Sequence, residues 1–105
     1  MKTFLILTEL TESGKRAIQN DPRGMKLSAQ ALEARGAVLV DQYALLGPWD
    51  FLTIIRARDE RTIFRLTTEL DALGTVKTMT LPAMPIEEFI DDVITTTYTD
   101  NSEEI

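Results

Sequence analysis

The stretch Ala37-Val38-Leu39-Val40-Asp41-Gln42-Tyr43-Ala44-Leu45-Leu46-Gly47-Pro48-Trp49-Asp50-Phe51-Leu52-Thr53-Ile54-Ile55-Arg56-Ala57-Arg58 reads as two β-prone runs, 37–45 and 50–58, around a turn that Gly47 and Pro48 force on the chain. Strands this close in sequence pair as an antiparallel hairpin. With the loop at 46–49, Leu45 faces Asp50, Tyr43 faces Leu52, Asp41 faces Ile54 and Leu39 faces Arg56. That register gathers Val38, Val40 and Ala44 with Phe51, Ile55 and Ala57 on one face, the cleaner apolar set and hence the expected helix-covered core. The opposite face carries Asp41, Tyr43, Asp50 and Arg56 among Leu39, Leu52 and Ile54.

Upstream of the hairpin, residues 2–8 form a first β-prone run and 11–20 a helical piece. Asp21-Pro22 supplies an N-cap with proline at the first helical position, and Leu27, Ala31, Leu32 and Ala34 carry helical spacing up to Gly36. Downstream, Asp59 caps a helix whose apolar stripe is Ile63, Phe64, Leu66, Leu70 and Leu73, and Gly74 stands where a left-handed C-cap belongs. Residues 75–81 make a fourth strand, ended by Pro82 and Pro85. Then Ile86, Phe89, Ile90, Val93 and Ile94 recur at helical offsets opposite Glu87, Glu88, Asp91 and Asp92.

The order β-α-β-β-α-β with a terminal helix is an α+β plan, the split βαβ of ferredoxin-like domains. It divides the chain into a domain at 2–84, an amphipathic C-terminal helix and extension at 85–98, docked on the body, and an acidic disordered tail at 99–105. The strand segments are apolar on both parities, as in Phe4-Leu5-Ile6-Leu7, whereas a half-solvated sheet would alternate. Two helices cover one face only. The other face must meet a partner sheet or the terminal helix, and a homodimer or higher homo-oligomer packed sheet to sheet, a dimeric α/β barrel, satisfies this most simply.

Composition narrows the chemistry. The 105 residues are 44% hydrophobic and 27% charged, as in one ordinary soluble domain. Without cysteine or histidine there is no disulfide framework, no thiolate or imidazole metal site and no Cys or His catalyst. The net charge of -6 is a C-terminal property: residues 1–84 hold 11 basic and 10 acidic side chains, while 85–105 hold seven acidic and no basic ones. A neutral body offers no footprint for a phosphate backbone, so nucleic acid is not expected as a partner. The opening segment lacks the features of a signal peptide, and no apolar run approaches membrane-spanning length. A cytoplasmic protein that contacts no membrane is expected. No glycine-rich phosphate loop is present. The acidic group on the last helix lies at the spacing of a solvated face, so neither a metal nor any other cofactor is expected.

Tyr43-Ala44-Leu45-Leu46-Gly47-Pro48-Trp49-Asp50, with Asp21-Pro22-Arg23 upstream and Leu73-Gly74-Thr75-Val76-Lys77-Thr78 downstream, closely resembles the GYD domain family over roughly residues 2–84. Pro48 follows Gly47 here and Trp49 stands where the family usually has tyrosine, so no role of that phenol carries over. The resemblance implies a dimeric α/β-barrel architecture and no particular activity, because such folds serve monooxygenases, stress proteins and regulatory modules alike.

Five residues are the candidate site. Inside a barrel, Asp41, Tyr43, Asp50 and Arg56 would be polar groups converging in an apolar cleft, suited to a small planar or carboxylate ligand, and Trp49 could stack on it. The same residues have structural readings: Asp41 paired diagonally with Arg56, Tyr43 bonded at a dimer seam, Asp50 accepting from turn amides, Trp49 packed at the hairpin tip. Three functions follow: a small-ligand-binding or regulatory protein; a cofactor-free monooxygenase- or isomerase-like enzyme with Asp41 or Asp50 as base; or a structural module whose last helix docks on another protein.

Overall fold

The computed structural model describes residues 1–25 and 29–104. Leu27, expected on the first crossover, and Ile105, at the end of the expected tail, lie outside the described residues. Four strands, β1 (Lys2–Leu10), β2 (Ala37–Ala44), β3 (Phe51–Ala57) and β4 (Val76–Ala83), form one antiparallel sheet in the order β2-β3-β1-β4, the ferredoxin-like α+β arrangement. The β1–β2 crossover holds α1 (Glu12–Asn20), a 3₁₀ turn (Pro22–Met25) and α2 (Ala29–Ala34); the β3–β4 crossover is α3 (Glu60–Ala72), and α4 (Ile86–Glu104) follows β4.

Local chemistry places the ends. Thr11 caps α1 by accepting from the Gly14 N–H, and Asp59 caps α3 by accepting from the Thr62 N–H at 3.0 Å. The Asp21-Pro22 start makes a 3₁₀ turn rather than one helix running to Gly36; Asp21 accepts from the Arg23 N–H at 3.2 Å, an Asx bond that competes with α-helical pairing. Strand β4 runs through Pro82 instead of stopping there. An edge strand can carry proline with its missing N–H turned outward.

The core lies between α2, α3 and one face of the sheet: Phe4, Ile6, Ala37, Ile55 and Ala57 from the strands meet Leu32, Ile63 and Leu66 from the helices, flanked by Leu39 and Leu70. Val38 and Val40, expected in this core, are instead exposed, and Leu39 takes the inward place. The cause is a register shift in β2: Tyr43 faces Leu52 and Asp41 faces Ile54 as read from sequence, but Leu39 then faces Ile55. One extra residue in β2 exchanges its two faces beyond that point.

The helix α4 forms, but it is not docked on the body as expected from its spacing. Its apolar residues Ile86, Phe89, Ile90, Val93 and Ile94 are all exposed. Its backbone helix also continues past Tyr98 to Glu104, through the stretch expected to be a disordered tail; once a turn exists, each further residue adds a backbone hydrogen bond. Only Met84 and Pro85 separate β4 from α4, which leaves the edge of the domain and contributes to a longest extent of 66 Å.

Candidate functional site

The helix-free face of the sheet is built in rows. Asp41, Ile54, Leu5 and Leu81 follow one another across the four strands; Tyr43, Leu52, Leu7 and Met79 form the next row; Val38, Arg56, Thr3 and Ala83 form a third. Leu5, Leu7, Leu52 and Ile54 are half-buried by their neighbours, while Val38, Val40, Tyr43, Met79 and Leu81 are exposed. The face is an apolar plain with polar groups toward its margins, and among the described residues no helix lies over it.

Of the candidate residues, Asp41, Tyr43 and Arg56 share this face and Asp50 does not. Asp41 serves the register shift. Its Oδ1 accepts from the Gln42 N–H at 2.8 Å, where the irregularity disturbs the ladder, and its Oδ2 accepts from the Tyr43 hydroxyl at 2.8 Å. The hydrogen bond to Asp41, reinforced by the negative charge, raises the Tyr43 pKa and keeps the phenol protonated. Arg56 instead reaches the Met1 carbonyl, with 3.5 Å between Nη2 and oxygen. The ion pairs among the described residues are Lys2–Glu60 and Arg35–Glu69, so the diagonal Asp41–Arg56 pair is not formed.

Asp50 is committed to the fold. Its Oδ2 accepts from the Leu10 N–H at 2.8 Å, its N–H donates to the Thr8 carbonyl at 2.8 Å, and its carbonyl accepts from the Leu45 N–H at 2.8 Å. The carboxylate thus bonds the end of a neighbouring strand, not the amides of its own turn. Trp49 sits half-buried at the hairpin tip. Among the described residues no group of three His, Cys, Asp or Glu side chains is placed to hold a metal ion, and no helix is long and apolar enough to cross a membrane.

Two further features involve residues outside the candidate site read from sequence. Phe64 is 72% exposed on α3 and borders a groove of about 230 Å³ lined by Phe4, Ile63, Thr67, Thr80 and Pro82, with Glu60 at its side. At about 100° per residue, Ile63, Leu66 and Leu70 share one arc of the helix and Phe64 falls off it, a signal present in the spacing but hidden when the stripe is drawn too broadly. Leu73, also assigned to that stripe, is exposed because the helix ends at Ala72. The second feature is Gln42, which lies opposite the buried Thr53 on the turn side of the register shift, its side-chain amide donating to the Thr53 hydroxyl at 3.3 Å.

Comparison with known proteins places this architecture. The solved structure of FFRP-DM1 matches with a TM-score of 0.53 at 16% identity, covering 80% of this chain and 100% of that one, a likeness of fold. The glutamine synthetase and cystathionine beta-lyase binding protein of Thermus thermophilus is 41% identical over 91 residues, covering 86% of this chain and 96% of that protein. The GYD domain model matches residues 4–93, beyond the 2–84 expected, and so takes in Ile86, Phe89, Ile90 and Val93 of α4. Motif, fold and relative agree: the chain belongs to the GYD domain family.

Proposed function

We propose that this chain is a cytoplasmic protein-interaction module that self-associates through the helix-free sheet face and presents its helical side to a partner enzyme. The observation that carries the reading is Phe64, a large aromatic 72% exposed beside an apolar groove. A solvated helix face gains nothing from such a residue, whereas an aromatic anchor next to a groove is the usual centre of a protein interface. The relative named for binding glutamine synthetase and cystathionine beta-lyase supports the same reading and supplies the first two partners to try. The test is co-elution of the purified chain with each enzyme from the same source organism, beside Phe64→Ala. Complex formation lost in Phe64→Ala, with the oligomer intact, is expected; no complex with either enzyme would overturn the partner assignment.

The small-ligand reading keeps one specific support: Arg56 has no carboxylate partner among the described residues and shares the helix-free face with the Asp41–Tyr43 pair. A second copy closing over that face would enclose these groups, with Arg56 to receive a carboxylate. A thermal shift by planar carboxylates, abolished in Arg56→Gln, would favour it over enzyme binding. The enzyme reading is weaker, because both carboxylates it would use as base are engaged, Asp41 by the Gln42 N–H and the Tyr43 hydroxyl and Asp50 by the Leu10 N–H.

A further inference from the structure

On the helix-covered side of the sheet, the row of Leu39, Ile55 and Phe4 is apolar and belongs to the core, but toward the hairpin the rows change character. Gln42 faces Thr53, and Thr8 stands beside Phe51 one row further on. Among the described residues Thr8 and Thr53 are the buried polar side chains, 8% and 2% exposed, and both line one cavity of about 190 Å³ together with Gln42. Its walls include Phe51, Leu70 near the end of α3 and Val76 at the start of β4. A threonine in a core position gives up apolar contact and brings a hydroxyl that has to be satisfied. Thr53 is satisfied by Gln42, whose amide donates to it at 3.3 Å. The Thr8 carbonyl accepts from the Asp50 N–H, but the Thr8 hydroxyl has no hydrogen-bond partner among the described residues. Side-chain nitrogens and oxygens sealed from solvent among those residues all have one, so the Thr8 hydroxyl is not sealed, and the cavity is what it opens into.

We propose that this cavity binds a small uncharged molecule carrying a carboxamide group on an apolar body. The volume equals that of about six water molecules in the liquid, below the ~300 Å³ at which sites for drug-sized ligands begin, so the ligand is small. No charged side chain among the described residues lines the cavity, and an ionised ligand would lose its hydration there without a counter-charge. What the cavity offers is hydroxyl chemistry. The Thr8 hydroxyl can donate or accept, and the Thr53 hydroxyl, which accepts from Gln42, keeps its own proton to donate. A carboxamide answers both, accepting through its oxygen and donating through its nitrogen, while its apolar body replaces water against Phe51, Leu70 and Val76. The site lies apart from the helix-free face, where Arg56 would select a carboxylate, and from the groove beside Phe64, so it stands or falls independently of both.

Benzamide, benzoate and toluene share nearly one shape and differ in charge and hydrogen bonding. Titrated into the full chain with ¹³C-labelled methyl groups, benzamide should shift the Thr8, Thr53, Leu70 and Val76 methyl signals in a saturable way, and benzoate and toluene should do so much more weakly. Thr8→Val keeps the shape and removes the hydroxyl. Because that hydroxyl has no partner within the fold, the melting temperature should not fall, while benzamide binding weakens by about three- to tenfold, the contribution of one hydrogen bond. Val76→Phe, which fills the cavity from an edge strand, should abolish binding with circular dichroism confirming the fold. Benzoate or toluene binding as tightly as benzamide would overturn the ligand class, and shifts centred on the helix-free face would overturn the site. A cavity that takes none of the three holds water alone and overturns the proposal. A lowered melting temperature in Thr8→Val with benzamide binding unchanged would make the hydroxyl structural and overturn it as well.

Discussion

The carboxylate of Asp50 accepts a hydrogen bond from the backbone N–H of Leu10 at 2.8 Å, across 40 residues of sequence. It ties the hairpin between β2 and β3 to the end of β1, just where the chain turns into the Thr11 cap of α1. Asp50→Ala leaves the half-buried Leu10 amide without its acceptor and should cost about 1–3 kcal/mol in urea unfolding. Asp50→Asn, which keeps an acceptor oxygen, should lose less. An equal loss in both would mean that charge rather than the hydrogen bond is what matters.

At the other end of that turn, Gly14 lies against the backbone of Thr75. A Cβ at Gly14 would overlap the Thr75 carbonyl oxygen, which already accepts from the Thr11 N–H at 3.0 Å. Neither backbone can yield without breaking the joint between α1 and the start of β4. Gly14→Ala is expected to destabilise by about 1–3 kcal/mol or more, despite its better helix propensity. A stabilised variant in thermal melts would show that this joint is loose.

Ile55 and Val40 test the face assignment. Ile55 is fully buried in the core and Val40 is half exposed on the open face. Ile55→Ala should cost about 2–5 kcal/mol in chemical denaturation, and Val40→Ala well under about 1 kcal/mol. A loss at Val40→Ala as large as that of a core truncation would restore the unshifted register, in which Val40 as well as Ile55 points inward.

Asp59 and Glu60 give the acid limb of stability a defined origin. Hydrogen bonds from the Thr62 amide and hydroxyl lower the Asp59 pKa, and the Lys2 ammonium lowers that of Glu60. Folded-state values below the unfolded ones mean that the contribution is complete above about pH 4–5 and is lost as pH falls through the lowered values. Asp59→Ala should therefore flatten the fall of melting temperature below about pH 4. An unchanged slope would remove the cap from the account.

Tyr43 should ionise above the usual phenol range of about 10, since Asp41 raises its pKa. Ultraviolet titration in a Tyr98→Phe background would follow it alone, and Asp41→Asn should bring the midpoint down. A midpoint that does not move would mean that the Asp41–Tyr43 bond is absent in solution.

Element order, the Thr11–Gly14 and Asp59–Thr62 segments as helix starts, the Gly47-Pro48 turn and the presence of a second apolar sheet face were all legible along the chain. They follow from local stereochemistry and from apolar residues on both strand parities, which a single chain displays. Asp41, Tyr43 and Arg56 could likewise be assigned to one face, because the hairpin register near the turn depends only on loop length. The register shift between Leu39 and Asp41, which exchanges the faces of Val38 and Leu39, had no such local signature. A bulge depends on which pairing lets both β2 and β3 meet the helices, a choice made across the sheet and not along it. The role of Asp50 was hidden for the same reason, since its partner Leu10 belongs to another strand. The path of α4 also emerged only in three dimensions: amphipathic spacing marks Ile86, Phe89 and Ile90 as one apolar stripe, but only the exit from an edge strand leaves them exposed and not packed on the helix's own sheet.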